Sequence, residues 1–123
     1  MKTDNIIVTK SKTFALRIIN LNKYLCNDKK ECTMSTQILK SGTSIGANVK
    51  EAIRGQSKAD FYSKMNIALK EASETEYWLE LLFESDYITE TEFNSIYTDC
   101  QELIKLLMAI TKTQKQLECV QLI

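Results

Sequence analysis

The stretch that decides the fold is residues 58–84, which read KADFYSKMNIALKEASETEYWLELLFE. Its apolar residues recur at three- and four-residue spacing, which predicts one long amphipathic helix. Ser57 is expected to cap this helix, with Asp60 at capping-box spacing in place of the usual Glu or Gln. Such a helix must bury its apolar stripe against other helices. The stripe comprises Phe61, Met65, Ala68, Ala72, Leu79 and Leu82.

A second apolar stripe on the same helix contains Ile67, Trp78 and Leu81, about 120–160° away from the first. The outer face of a helix in a small bundle is ordinarily polar. The second stripe therefore favours a subunit interface made by these three residues and Glu71. Simple exposure of the same side chains is the alternative.

Three further amphipathic helices flank this stretch, at about residues 11–28, 33–54 and 90–115. Ser11 is expected to cap the first, and Thr89 with Glu92 forms a capping box for the last. The connections are short, at about two to six residues, which places successive helices antiparallel. The chain is predicted to be all-α, a single domain over residues 1–123 folded as an antiparallel up-down-up-down four-helix bundle.

Two apolar end segments, Ile6–Val8 and Val120–Ile123, are each too short to form a helix core. Straps laid over the bundle or over a neighbouring molecule are one interpretation. Disordered ends are the other. The sequence does not decide between them.

The second helix contains Gly42 and Gly46, each costing up to about 1 kcal/mol relative to Ala in a helix interior. A glycine-rich loop that cradles phosphate is one explanation. However, the spacing is not that of a P-loop, and no strand precedes the glycines. Close helix packing is favoured instead, because a neighbouring backbone can approach a residue without a Cβ. Gly55 is expected to follow the end of this helix.

Composition excludes several classes of site. The chain of 123 residues has no histidine, which removes His-containing catalytic triads and the usual di-iron bundle site. We expect no metal and no cofactor. The cysteines Cys26, Cys32, Cys100 and Cys119 form no C-x-x-C pair and are expected to be reduced thiols, with Cys100 buried. No segment predicts a transmembrane helix or a signal peptide, which favours a cytoplasmic protein.

The net charge is zero but unevenly distributed. Residues 1–58 carry a net charge of +7, and residues 59–123 carry −7. Acidic helices that neutralise basic ones within the molecule would explain this. Opposite patches that meet between subunits, or a basic half that binds an anionic partner, are the alternatives. Phosphate contacts require only surface cations, so a tentative RNA- or DNA-binding set is Lys29, Lys30, Lys40, Lys50, Arg54 and Lys58.

Three polar residues lie at the edges of apolar stripes: Arg17, Asn48 and Glu76. Half-buried polar groups require partners, so we predict a structural network inside the bundle. A small enzyme that uses Asn48, Glu51 and Glu76 is a less favoured alternative, because the chain shows no cofactor fingerprint and no histidine.

Four segments together resemble a known bacterial family: residues 41–52 (SGTSIGANVKEA), 56–61 (QSKADF), 64–72 (KMNIALKEA) and 74–79 (ETEYWL). They look like the four-helix bundle proteins encoded in intervening sequences of 23S rRNA genes. The resemblance covers about residues 10–115. The matching motif residues, expected to serve packing and assembly, are Ser41, Gly42, Ser44, Gly46, Asn48, Glu51, Ala52, Lys70, Glu71, Glu76 and Trp78.

The resemblance implies an antiparallel bundle that assembles as a homopentamer with a central channel and has no established enzymatic activity. A related bundle is the accessory protein of diversity-generating retroelements, which binds nucleic acid and partners a reverse transcriptase. That relative is strongly basic, whereas this chain is neutral. We therefore expect a non-enzymatic ring-forming adaptor or scaffold. The alternatives are a dedicated RNA- or DNA-binding protein with a protein partner such as a reverse transcriptase, and an antitoxin-like protein with an obligate partner.

Overall fold

The computed structural model describes the backbone of residues 2–122 and the side chains of residues 6–113. Within that part the chain is all-α, as predicted. It forms four helices: α1 (Lys2–Asn27), α2 (Thr33–Ile53), α3 (Lys58–Glu84) and α4 (Glu90–Leu122). Each helix contacts the next one along the chain, and α1 also contacts α4. This cyclic order of contacts is consistent with the predicted four-helix bundle.

The ion pairs between α1 and α4 indicate how these two helices run. Lys10 Nζ lies 2.7 Å from Glu102 Oε1, and Arg17 Nη1 lies 2.6 Å from Asp99 Oδ2. As the residue number rises along α1, it falls along α4. This is the order expected for neighbouring helices that point in opposite directions, and it is consistent with up-down connections.

The predicted start of α1 is wrong, because the helix begins at Lys2 rather than at Ser11. Ile7 is fully buried, and it continues the buried stripe of α1 to a position seven residues before Phe14. Ser11 is a buried residue within the helix, and its Oγ donates a hydrogen bond to the Val8 carbonyl oxygen at 3.2 Å. The first apolar end segment is therefore part of α1, and Ser11 is not its cap.

The predicted end of α4 is also too early. The helix continues to Leu122, seven residues beyond the expected limit near residue 115. The backbone of residues 120–122, most of the second apolar end segment, is helical. The side chains of this segment, and Ile123 as a whole, lie outside the described residues.

The remaining helix ends follow local signals in the sequence. The Asp60 backbone N–H donates to Ser57 Oγ at 3.1 Å, which confirms the predicted cap of α3. Thr89 and Glu92 form a complete capping box: the Thr89 N–H donates to the Glu92 carboxylate at 2.8 Å, and the Glu92 N–H donates to Thr89 Oγ1 at 3.2 Å. Gly55 follows α2 as expected but has a negative φ. A Cβ there would lie 3.2 Å from Asp60 Cβ, so close approach explains this glycine.

The core consists of apolar side chains from all four helices. Burial of an aliphatic side chain of this size contributes about 1.5–3 kcal/mol. Between α2 and α3 the core also contains a polar pair, in which Thr75 Oγ1 donates to Ser41 Oγ at 2.9 Å. The fully buried large side chains are Ile7, Phe14, Ile18, Leu25, Ile38, Ile45, Val49, Met65, Leu79, Leu82, Leu103 and Leu107.

Candidate assembly surface

The residues predicted to meet another subunit lie along one side of α3, which we call the α3 outer side. Ile67 is 37% exposed, whereas Glu71, Trp78 and Leu81 are half-buried. Spacings of four, seven and three residues keep these side chains on the same side of a helix. The Trp78 indole N–H donates to Glu74 Oε2 at 3.1 Å, so Glu74 belongs to the same surface. The second apolar stripe is thus partly accessible to solvent.

Electrostatics make the α3 outer side acidic. Partial burial raises the pKa of Glu71 above its usual value, and repulsion from Glu74 raises it further. Lys70 and Lys40 act in the opposite direction. Burial and a neighbouring like charge both disfavour the charged form of a carboxylate. Glu71 and Glu74 thus form a pair of interacting carboxylates on the α3 outer side.

Neutralisation within the molecule accounts for part of the uneven charge. Two ion pairs cross from α1 to α4, and a third joins Lys64 to Glu51 across α3 and α2 at 3.7 Å. The cations Lys12, Lys50 and Arg54 are exposed, and no ion pair involving them occurs among the described side chains. Internal neutralisation is thus incomplete on the side of the bundle formed by α1 and α2.

These three cations border a groove between α1 and α2, which we call the α1–α2 groove. Its volume is about 520 Å³. Small residues form much of its surface, including Ala15 and Ala47. The other lining residues are Val8, Ser11, Lys12, Thr43, Gly46, Lys50, Ile53 and Arg54. Val8 and Ile53 are 37% and 45% exposed, so the groove combines cations outside the described ion pairs with accessible apolar surface.

The six predicted nucleic-acid-binding residues do not lie together. Lys29 and Lys30 lie in the turn after α1, whereas Lys50, Arg54 and Lys58 lie around the end of α2 and the start of α3. At 1.5 Å per residue, the intervening helix separates the two groups by about 30 Å. Lys40 lies between them on α2. The structure therefore joins Lys50 and Arg54 in the groove and leaves Lys29 and Lys30 at the opposite end.

The predicted network of Arg17, Asn48 and Glu76 does not form. Arg17 pairs with Asp99, and Asn48 Nδ2 donates to the Ser44 carbonyl oxygen of its own helix at 2.8 Å. Within the described residues no Cα atom of α1 lies within 8 Å of a Cα atom of α3, and Arg17 pairs with α4 instead of with Glu76. Glu76 instead lies near α4, where its charge helps to raise the pKa values of Tyr97 and Cys100.

Gly42 and Gly46 lie where α2 meets α1. A Cβ added at Gly42 would stand 2.8 Å from two carbons of the Ile18 side chain. At Gly46 the corresponding Cβ would lie 3.4 Å from the Ser11 carbonyl oxygen, an ordinary contact. The close approach of the two helices is therefore tightest at Gly42.

The described residues contain no group of three or more His, Cys, Asp or Glu side chains that could hold a metal ion. None of their helices is long and apolar enough to cross a membrane. Glu51 is held in its ion pair with Lys64 at the mouth of an open cleft of about 670 Å³. Cys100 is buried and donates to the Ala72 carbonyl oxygen at 3.5 Å, as expected for a structural thiol.

Sequence reasoning missed Asp99 and Glu102, which hold α4 to α1. Both are single acidic residues on a helix whose exposed face carries many polar residues. It also missed the Ser41–Thr75 hydrogen bond. A small polar residue at a core position on each of two neighbouring helices is the signal that could have found it, because buried hydroxyls require partners.

Comparison with known proteins places the chain in a family. Residues 3–109 match the model of the 23S rRNA-intervening sequence protein. A solved structure of a protein of unknown function from the S23 ribosomal protein family of Bacteroides thetaiotaomicron is similar, with 58% identity and a TM-score of 0.88. The match covers 89% of this chain and 98% of that one. No curated protein is similar enough to count as a relative. Neither description names a catalytic activity. The chain belongs to the 23S rRNA-intervening sequence protein family.

Proposed function

We propose that this protein is a non-enzymatic cytoplasmic scaffold, or adaptor, that assembles as a homopentameric ring through the α3 outer side. The observation that carries the proposal is the accessible apolar surface there. Ile67 and Tyr77 are 37% and 53% exposed, and the Tyr77 ring packs edge-on against Trp78 with centroids 5.4 Å apart. Aromatic residues in contact with aliphatic ones are typical of interface cores.

The charge distribution supports a head-to-tail arrangement. The first two helices are basic and the last two are acidic, so a copy of the chain offers unlike surfaces to its neighbours. A head-to-tail contact joins two different surfaces, and repetition of it closes a ring when the rotation permits. The ring would enclose a central channel and present five equivalent outer surfaces to binding partners.

Native mass spectrometry of the Trp78→Asp variant tests this proposal. The wild-type ring should have a mass of about five times 14.1 kDa, and the variant should be smaller because a carboxylate replaces the central aromatic residue. Because Trp78 packs partly against the core, circular dichroism must show that helicity is retained. Ile67→Asp is the second test variant, since Ile67 lies outside the core. Gln101→Asp, at an exposed position on α4, makes the same change of charge away from α3 and is the matched control.

Two results would refute the proposal. A wild-type monomer at micromolar concentration would show that the ring does not form. A Trp78→Asp or Ile67→Asp variant with the wild-type mass would show that the α3 outer side is not the interface.

Dedicated RNA or DNA binding, with a partner such as a reverse transcriptase, is the second candidate. The observation in its favour is the set of exposed cations outside the described ion pairs, namely Lys12, Lys50 and Arg54. Because Lys29 and Lys30 lie at the other end of α2, the basic residues provide no continuous phosphate track. Extra mass that nuclease removes, together with affinity that falls steeply with salt, would place nucleic-acid binding above scaffolding.

A further inference from the structure

We propose that Cys26 and Cys32 are a redox-active pair of thiols at the turn between α1 and α2, and that a low-molecular-weight disulfide converts them reversibly to an intramolecular disulfide. Cys26 lies in the last turn of α1, and Cys32 immediately precedes α2. Both are free thiols, and Cys26 is half-buried whereas Cys32 is exposed. The proposal does not depend on the ring, because both cysteines belong to one chain.

The backbone of the turn brings the two cysteines together. The Glu31 N–H donates to the Leu25 carbonyl oxygen at 2.9 Å, and Lys30 has a left-handed conformation with a φ of 55°. The chain thus folds back onto the last turn of α1. Since Cys26 follows Leu25 and Cys32 follows Glu31, each cysteine is the chain neighbour of a residue in this hydrogen bond.

Side-chain contacts bring the two sulfur atoms close to each other. The Cys26 thiol donates to Ser35 Oγ at 3.5 Å, and Ser35 lies three residues after Cys32 in the first turn of α2. Asn22 Nδ2 lies 2.7 Å from the same Ser35 oxygen and so holds it in place. A hydrogen bond with the Cys26 thiol is also the largest influence that raises the pKa of Cys32. The Cys26 sulfur therefore lies beside the start of α2, within reach of Cys32.

The Cys32 side chain is not needed to cap α2. An N-cap residue commonly accepts a hydrogen bond from the first turn through its side chain, but Cys32 makes no such bond. The Glu31 carboxylate caps the helix instead, because it accepts from the Met34 N–H at 3.0 Å and the Ser35 N–H at 2.9 Å. The Cys32 thiol is therefore free to rotate toward Cys26. Disulfide formation requires this movement, since the sulfur atoms must approach to about 2.05 Å.

The reaction is thiol–disulfide exchange in two steps. The exposed Cys32, as its thiolate, attacks one sulfur of the small disulfide. The S–S bond of that molecule breaks, which releases one thiol and leaves a mixed disulfide on Cys32. The Cys26 thiolate then attacks Cys32 Sγ and releases the second thiol. Two electrons pass from the protein to the small molecule, and the two cysteine protons end on the released thiols. Excess reduced thiol reverses both steps.

Peptide mapping of the folded full-length chain tests the proposal. The protein is treated with oxidised glutathione, blocked with iodoacetamide and digested with trypsin in the absence of reductant. Trypsin cleaves after Lys29 and Lys30, so residues 24–29 and 31–40 separate unless a disulfide joins them. The joined peptides should be the main product and should disappear after treatment with dithiothreitol. Non-reducing denaturing electrophoresis should show the mass of a single chain.

Single substitutions identify the two sulfur atoms. Cys26→Ser and Cys32→Ser should each abolish the joined peptides. Cys26→Ser should also retain glutathione on Cys32, because the second step is then impossible. Cys119→Ser is the matched control and should leave the joined peptides unchanged. Circular dichroism shows whether each variant keeps the helicity of the wild type, and mapping of the wild type needs no variant.

Three results would overturn the proposal. The first is a wild-type protein with separate glutathione adducts on Cys26 and Cys32 and no joined peptides. The second is a disulfide from either cysteine to Cys100, to Cys119 or to another chain as the main product. The third is a joined pair that forms only in urea, because the native turn would then keep the sulfur atoms apart.

Discussion

Replacement of Gly42 by alanine should give no gain in stability, although alanine is the better helix former. The new Cβ would stand 2.8 Å from both Cγ atoms of Ile18, which is fully buried and β-branched and so has little freedom to move. Overpacking of this kind costs about 1–3 kcal/mol, and the gain in helix propensity is about 1 kcal/mol. The variant should therefore range from neutral to about 2 kcal/mol less stable than the wild type.

Gly46→Ala is the matched control, since it has the same propensity gain and only an ordinary contact with Ser11. It should be stabilised by about 1 kcal/mol. The difference between the two alanine variants therefore isolates the clash with Ile18, at about 1–3 kcal/mol. Urea denaturation followed by circular dichroism measures both free energies of unfolding. The measurement is repeated over a range of protein concentrations, because Gly46 lines the α1–α2 groove and any self-association would add to the apparent stability.

A double-mutant cycle identifies the cause. In an Ile18→Ala background both Cγ atoms are gone and only the Cβ of residue 18 remains, 3.2 Å from the added carbon. The penalty of Gly42→Ala should therefore fall sharply in that background. Equal effects of the two glycine substitutions, or the same effect of Gly42→Ala in both backgrounds, would refute the reasoning. The close approach of α1 and α2 would then have another origin.

Three further predictions concern single ionisable side chains. The Thr89 backbone N–H donates a hydrogen bond to the Glu92 carboxylate, and this bond, together with one from the Thr89 side chain, lowers the pKa of Glu92 in the folded chain. Glu92 therefore adds to the free energy of unfolding above about pH 4.3, the pKa of Glu in an unfolded chain, and this stabilisation is lost as the pH falls through the lowered pKa. In acid denaturation the wild type should accordingly lose its stability advantage over Glu92→Gln. The hydrogen bond that the Tyr97 hydroxyl donates to Glu80 raises the pKa of Tyr97, so the stabilisation from this bond is lost as the pH rises above about 10. In an absorbance titration, the Tyr97→Phe variant should lack the tyrosine ionisation that the wild type shows at the highest pH. An unchanged titration would count against the bond. Burial raises the pKa of the Cys100 thiol to about 12. After brief iodoacetamide treatment at about pH 8, peptide mapping should find Cys100 labelled in urea but not in the native protein. Labelling of Cys100 in the native protein would contradict its burial.

The sequence predicts helix ends best where the signal is local. The boundaries of α3 agree with the prediction because Ser57 and Asp60 make the cap within four residues. The start of α1 was misjudged because a serine before an apolar stripe has the same pattern as an N-cap. Ile7, seven residues before Phe14 on the same stripe, is the signal that extends the helix. The small side chain of Ser11 serves instead the packing against α2.

Partners of surface charges are less predictable than helix ends. Arg17 could pair with several acidic residues, and its choice of Asp99, 82 positions away, depends on which helices become neighbours. The Asn48 side-chain amide donates to the Ser44 carbonyl oxygen one turn earlier, a hydrogen bond that needs no partner from another helix. The α3 outer side was identified from periodicity. The α1–α2 groove was not, because its residues come from two helices and only their packing creates it.

The cyclic order of helix contacts has a consequence for how the chain folds. Because consecutive helices are neighbours, most contacts among the described residues lie within helical hairpins joined by short turns, and the α1–α4 contact is the one that joins distant segments there. Topologies dominated by such local contacts fold in microseconds to milliseconds. The chain has no proline, so isomerisation over tens of seconds cannot delay refolding. In the proposed ring, folding of each copy would precede assembly, because subunit assembly takes milliseconds to minutes and depends on concentration.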